Sequence, residues 1–403
     1  MRKVSPQLVR DLNRSAVLRL IGGEGPIART EIARRLRLSP ATVTAVTRAL
    51  LGAGLVRVVD QAPSRGGRPA ILLGLVSGAA HALGVKVAAD HVVGVRVDLD
   101  GTVVERFEHA FDAGQSDALD RLAALLRPHT EVREDSPLFL GVGLGVPGIV
   151  DGGDHNIVNS PMLGWRSLGV GDRLRRQLGV PVLVDNDVNT LAVASRLYGR
   201  GKDVDDFLTV TIGRGVGLGI VARGEVYRGA RGGAGEFGHI AVEEDGPLCE
   251  CGKRGCLEAV VADPALVARG VRERVLEPGD GVHALRELAE QGDLRAARIF
   301  SDAGVTLGRA VAGLVNVLGP ELVLISGEGT QAWSQLGPSF QRGFSEAVFP
   351  PLGDVTVEID PWDDAKWALG AAALVLRATL VTPLDEQSAD HSVRARLTGL
   401  AAG

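Results

Sequence analysis

The feature that most constrains this chain is an order of elements used twice. Alternating apolar residues mark three successive strands at 83–90, 92–98 and 103–107, joined by tight turns, and a helical period follows near 117–127. A strand at 138–144, a helix, a strand at 182–184 and a helix at 188–198 complete the first series. The second repeats the theme with strands at 207–212, 217–222 and 225–227 and a helix near 296–318. It closes with a strand at 322–326, a helix, a strand at 355–359 and a helix at 366–377. Strands that alternate with helices bury their apolar faces as a helix-covered sheet, so the doubling predicts two similar α/β lobes facing a cleft. Such clefts hold small ligands. With 403 residues, 45% of them hydrophobic and 23% charged, the chain can fill both cores and has length left for another domain.

That extra length lies at the N-terminus. Ser5-Pro6 opens a helix, and Val9, Leu12, Ala16, Val17, Leu20 and Ile21 recur at helical spacing until Gly22-Gly23-Glu24-Gly25-Pro26 stops the run. A second short helix at 30–37 buries Ile32, Ala33 and Leu36. A third starts at Ser39-Pro40, buries Val43, Val46 and Leu50, and ends at Gly52 and Gly54. Strands at 55–59 and 70–73 add a two-stranded ribbon, so residues 1–75 predict a winged helix-turn-helix. In that geometry the third helix lies in the major groove of double-stranded DNA with its N-terminal half toward the base edges. The residues expected to contact DNA are Ser39 at its start and the outward positions Ala41, Thr42, Thr44, Thr47 and Arg48. At the wing tip, Arg65-Gly66-Gly67-Arg68-Pro69 offers Arg65 and Arg68 to a narrow A·T-rich minor groove. Charge agrees. Residues 1–75 carry 13 Arg and Lys against 4 Asp and Glu, while the remainder carries 31 against 45, a basic head on an acidic body.

No apolar run is long enough to span a bilayer, and the start MRKVSPQLVRD lacks the apolar stretch of a signal peptide. The expectation is a cytoplasmic protein with no membrane partner. Three cysteines exclude a disulfide framework, but all three fall in the short loop Cys249-Glu-Cys251-Gly-Lys-Arg-Gly-Cys256, with His239 ten residues upstream. Three thiolates and one imidazole complete a closed tetrahedral shell, the chemistry of structural Zn²⁺. Glu236 precedes His239 by three residues, and Glu258 follows Cys256 by two. Asp185-Asn186-Asp187-Val188-Asn189 joins a strand to a helix; alone it reads as a helix cap, and with the two glutamates as a lining for a polyhydroxylated ligand. Gly143-Leu-Gly145-Val-Pro-Gly148 spells a dinucleotide motif, but Pro147 denies the glycines the helix start that motif needs. A pocket-shaping loop at a strand end is expected there instead.

Together these motifs resemble the ROK family of sugar kinases and regulators. The resemblance covers nearly the whole chain and is carried by Gly233-x-x-x-x-Gly238-His239 and by the Cys-x-Cys-Gly-x-x-Gly-Cys-x-Glu segment ending at Glu258. The head with Gly66-Gly67-Arg68-Pro69 is similar to the regulator branch, which includes repressors of xylose, glucose and N-acetylglucosamine genes. The resemblance implies an actin/hexokinase-like (ribonuclease H-like) two-lobed ROK domain, placed at 76–383, with the zinc loop at 239–258 and a polar tail at 384–403 as a candidate for disorder. It also implies homodimers or homotetramers and a sugar or sugar derivative as ligand. By it, Asn186, Asp187, Glu236, His239 and Glu258 contact sugar hydroxyls, His239 serves zinc and ligand alike, and Asp187 matches the kinases' catalytic base.

The departures separate kinase from regulator. Where the kinases carry Asp-x-Gly-Gly-Thr, this chain has Lys86-Val87-Ala88-Ala89-Asp90, which loses an acid and two close-approach glycines and adds a carboxylate facing a polyanion. A second loop, Gly213-Arg214-Gly215-Val216-Gly217, keeps its glycines but has Arg where the kinases have Thr. The expectation is therefore a sequence-specific DNA-binding regulator, a repressor of carbohydrate metabolism genes, with no catalytic residue. An ATP-dependent sugar kinase with a vestigial head stays as the alternative.

Overall fold

The computed structural model describes residues 6–62, 70–131, 137–152, 156–361 and 363–380, with Val393 and Arg396. The chain divides into two compact units, Met1–Leu197 with Trp367–Gly403 and Tyr198–Lys366. Among the described residues no helix is long and apolar enough to cross a membrane.

Unit one opens with a winged helix-turn-helix: α1 (Pro6–Glu24), β1 (Ile27–Ala28), α2 (Arg29–Leu36), α3 (Pro40–Gly52), β2 (Val56–Ala62) and β3 (Ala70–Leu75). Val17, Leu18, Ile21, Ile32, Val43, Leu50 and Leu73 are buried, the helical and strand periods turned inward. Helix α1 runs through Gly22 and Gly23, where a stop was expected. Gly25 ends it, donating its N–H to Ile21 O at 2.9 Å, and a methyl at Gly25 would stand 2.3 Å from that carbonyl. Arg37 leaves α2 in the left-handed conformation (φ 52°), and Ser39 caps α3 by accepting the Thr42 N–H at 3.1 Å. Strand β1 pairs with β3 and adds an edge that two residues cannot announce by alternation. The wing tip, including Arg65 and Arg68, lies outside the described residues.

The first α/β series follows as β4 (Ala80–Val87), β5 (His91–Asp98), β6 (Val103–Ala110), α4 (Ala118–Thr130) and β7 (Leu138–Val146). A small sheet that the sequence does not mark comes next: β8 (Ile149–Asp151), β9 (Ile157–Ser160) and β10 (Trp165–Gly169). Then come α5 (Val170–Leu178), β11 (Val182–Asn186) and α6 (Asp187–Tyr198). The main sheet has the order β11-β7-β4-β5-β6.

Unit two holds β12 (Phe207–Ile212), β13 (Val216–Ala222), β14 (Glu225–Val226), α7 (Glu258–Val261), α8 (Asp263–Arg272), α9 (Val282–Glu290) and α10 (Leu294–Leu318). It continues with β15 (Leu322–Ser326), α11 (Trp333–Ala347) and β16 (Thr356–Ile359). Its sheet order, β14-β13-β12-β15-β16, is that of unit one read from the other edge, so the doubled pattern is a doubled topology.

Two expectations are corrected here. The last helix, α12 (Asp364–Leu380), belongs by sequence order to the second series, yet from Trp367 onward it is part of unit one. Gly84 and Gly143 explain how it docks. Methyls there would stand 2.0 Å from Ala368 O and 1.8 Å from Ala371 O, so only glycine lets the helix backbone lie on the sheet. Gly143 and Gly145 therefore sit within β7, not in a pocket loop; only Gly148 of that motif occupies a turn, with φ 99°. Of the C-terminal tail, Val393 is buried and Arg396 donates to Phe139 O at 3.0 Å; the rest of 384–403 lies outside the described residues.

Candidate functional site

The cysteine loop converges as its spacing suggests. Cys249 donates its N–H to Lys253 O and accepts the Gly252 N–H, while Gly252 and Gly255 take left-handed turns that fold Cys251 and Cys256 back beside it. His239 enters from the single 3₁₀ turn Phe237–His239. The four donor atoms all lie within 4.8 Å of one another, with Cys249 Sγ 3.6 Å from His239 Nδ1 and Cys251 Sγ 3.6 Å from Cys256 Sγ. A tetrahedron with Zn–S ~2.3 Å and Zn–N ~2.0 Å has edges of about 3.5–3.8 Å, so this set fits one zinc ion. Burial pushes the Cys249 thiol up to about 12, so a dication is what would hold it as thiolate.

The imidazole has two faces in use. With Nδ1 toward Cys249, Nε2 stands 3.8 Å from Glu236 Oε2. Burial raises the Glu236 pKa; His239 opposes the rise and Glu258 adds to it. Glu258, in the first turn of α7, accepts the Val216 N–H at 3.0 Å. It fits because Gly215 and Gly238 leave room: methyls there would stand 2.8 and 3.3 Å from its Oε2. Unit two thus gathers Glu236, His239 and Glu258 beside the Gly213–Gly217 turn.

Unit one holds the other expected ligand residues where β11 meets α6. Asn186 Oδ1 accepts the N–H groups of Val188 (2.9 Å) and Asn189 (3.2 Å), and its Nδ2 donates to Gly148 O at 3.0 Å. Asn186 is therefore the cap of α6 and a tie to the Gly148 turn, with one Nδ2 hydrogen left for a ligand. Buried Asp185 is consumed likewise, accepting from Asn186 N and Asn189 Nδ2. Asp187 is different. Burial raises its pKa and the Lys86 ammonium opposes that rise, while Lys86 Nζ also lies 4.6 Å from the centroid of the Trp367 ring. A cation thus occupies the neighbourhood of the residue that resembles a kinase base.

On the helix-turn-helix, Ala41, Thr44 and Arg48 are exposed on α3 and Thr42 is half-exposed, its hydroxyl 2.8 Å from Ser39 Oγ. Thr47 is a correction. Its side chain is fully buried, donates to Val43 O at 2.8 Å and accepts from Arg29 Nε at 2.9 Å, so it pins α2 to α3 and faces no groove. Ala45 on α3 and Arg37 at the end of α2 are exposed as well. Arg34 and Arg35 are tied to Glu31, whose pKa they lower to about 2. Sequence reasoning also missed Asp263 and Glu328, which lie by the Gly213 turn; the signal was Glu328's place just past a strand's C-terminal end.

Comparisons with known proteins follow the same division. The model of the ROK family matches residues 82–378, and that of the MarR family matches residues 12–61. The DNA-binding transcriptional dual regulator NagC of Escherichia coli K12 is 31% identical over 382 residues, 93% of this chain and 94% of its own. The crystal structure of a ROK family transcriptional regulator, a homologue of the E. coli MLC protein, superposes with a TM-score of 0.82 at 27% identity, covering 98% of this chain and 100% of its own. A ROK family glucokinase from Streptomyces griseus, solved with glucose and AMPPNP, gives a TM-score of 0.63 at 27% identity, covering 73% of this chain and 98% of its own.

Proposed function

Since the chain belongs to the ROK family, we propose that it is a sequence-specific DNA-binding transcription regulator, a repressor of carbohydrate metabolism genes controlled by a sugar or sugar derivative. The observation that carries this is continuity. Likeness to a regulator of known structure runs over 98% of the chain, head included, whereas likeness to a glucokinase covers 73%. Its partner is double-stranded DNA, read by a homodimer or homotetramer that sets two heads on paired half-sites, and that partner makes the cytoplasm its place of work. Ser39, Ala41, Thr42, Thr44 and Arg48 are the contacts proposed on the described part of the head.

Each unit brings its own groups for the ligand: Asp187 and the remaining amide hydrogen of Asn186 in unit one, and Glu236, His239 and Glu258 in unit two. Carboxylates and an imidazole suit several hydroxyls at once. His239, Cys249, Cys251 and Cys256 would hold one structural Zn²⁺, and Glu236 beside Nε2 is placed to orient the His239 ring as the outer partner of a metal-bound imidazole does. The chain is not an enzyme: Lys86 stands beside Asp187 where phosphoryl transfer needs a metal and a polyphosphate. Sequencing genomic fragments retained by the purified protein, with a coupled ADP-release assay over a panel of monosaccharides, tests both halves. A shared pseudo-palindrome and no sugar-dependent ADP release are expected. Absence of any enriched site overturns the regulator, and ADP release abolished by Asp187→Ala overturns the non-enzyme.

A further inference from the structure

The turn Gly213–Gly217 joins β12 to β13 with three glycines among its five residues, Arg214 exposed and Val216 buried. Turns of that kind bind phosphate through their converging N–H groups. Here the turn is ringed by the protein's own carboxylates. Glu258 already takes the Val216 N–H at 3.0 Å. Glu328, just past Gly327 at the end of β15, sets its Oε2 only 3.2 Å from where a Gly213 Cβ would stand. Asp263, the first residue of α8, donates its N–H to Gly213 O at 2.8 Å, which brings its carboxyl to the same turn. That carboxyl has a pKa of about 6, raised first by burial and then by the Glu328 charge, against the pull of His283 and Arg286. Arg286 hydrogen-bonds Gln331 Oε1 at 3.0 Å and His283 Nδ1 at 3.2 Å, and its pull on the Asp263 carboxyl, like that of His283, is smaller than the push from Glu328.

We propose that Glu328 and Asp263 are specificity-determining residues that bar nucleotide polyphosphates from unit two, by fixing negative charge on a glycine turn otherwise shaped for phosphate. The inference rests on the reading of this chain as a regulator without a phosphoryl donor and gives that reading a cause separate from Lys86. No single glycine has to be lost for the phosphate site to close. A carboxylate placed two residues past a strand suffices, because a fixed charge near a polyanion acts at a distance that a methyl cannot.

The test is equilibrium binding of Mg-ATP to the full chain, with adenosine as the phosphate-free probe. The isosteric variants Glu328→Gln and Asp263→Asn and their double combination are compared with wild type, each checked by thermal melt for an intact fold. Each single variant is expected to bind Mg-ATP more tightly than wild type, and the double variant by at least about tenfold, or ~1.4 kcal/mol. Adenosine binding should stay unchanged in all of them. Equal Mg-ATP affinity in wild type and double variant overturns the inference, as does an equal gain for adenosine, which would mean a loosened pocket and not a removed charge. Tight Mg-ATP binding by wild type without turnover overturns this inference alone. Sugar-dependent turnover by wild type overturns the regulator reading with it.

Discussion

Replacing Asn186 with alanine separates a structural role from a ligand role at the start of α6. The side chain satisfies the N–H groups of Val188 and Asn189 and donates to Gly148 O. Loss of an N-cap costs about 1 kcal/mol, and leaving a partly buried carbonyl without its donor costs about 1 kcal/mol more. A total of ~2 kcal/mol in a unit of this size corresponds to a fall in melting temperature of about 4–8 °C. Asn186→Ser keeps an oxygen for the helix N–H groups but cannot reach Gly148, so it should recover roughly half of that loss. Asp187→Ala removes a half-buried carboxyl whose pKa burial raises, and should leave the melt unchanged or higher while abolishing ligand response. Differential scanning calorimetry of the three variants reads the series directly. If Asn186→Ala melts within about 1 °C of wild type, the cap is not what holds this junction together and the reasoning fails.

Cys251 is exposed, so Cys251→Ser disturbs little packing, yet it should abolish zinc content and remove on the order of 10 kcal/mol of metal-linked folding energy from the loop. Elemental analysis showing wild-type zinc in that variant contradicts the shell. Asp263 has a pKa of about 6 in the fold against 3.8 as its ordinary value, so the native state holds the extra proton between those limits and stability falls as pH rises through that window. Asp263→Asn should therefore stabilise the protein by up to about 3 kcal/mol at pH 7, with the gain vanishing below pH ~4; a pH-independent gain in urea melts refutes the assignment. Thr47→Val strands Arg29 Nε and should cost about 1 kcal/mol without weakening DNA contacts, whereas Arg48→Ala should weaken operator binding without lowering the melt. The opposite pairing in footprints and melts means α3 is turned the other way.

The sheets were legible in sequence because alternation and length are strong signals for buried strands, and β15 falls at the expected residues. What failed has local causes. The strands β8, β9 and β10 are too short for their period to show, and α12 returns to unit one because of glycines on β4 and β7, a tertiary fact. The cluster of three cysteines and a histidine was legible because cysteines are scarce and all fall in one short loop, Cys249 to Cys256. Thr47 was misread because a threonine on a helix that otherwise shows hydroxyls looks like one more outward group, and only the position of Arg29 reveals its partner. Asn186 looked equally like a cap and a ligand. Its hydrogen bonds show the cap, which spacing alone does not.

If a sugar held by the Glu236 group controls the hold of the head on DNA, as proposed, operator affinity has to change with sugar. Fluorescence anisotropy of a labelled operator, titrated with and without the cognate sugar, tests it most directly in wild type and in Glu236→Ala. Sugar is expected to lower wild-type operator affinity, and Glu236→Ala to bind the operator normally without sugar and to lose the response to it. A shift requires that the sugar bind one conformation better than another, so removing one of its contacts must shrink the shift. An undiminished sugar response in Glu236→Ala contradicts the claim.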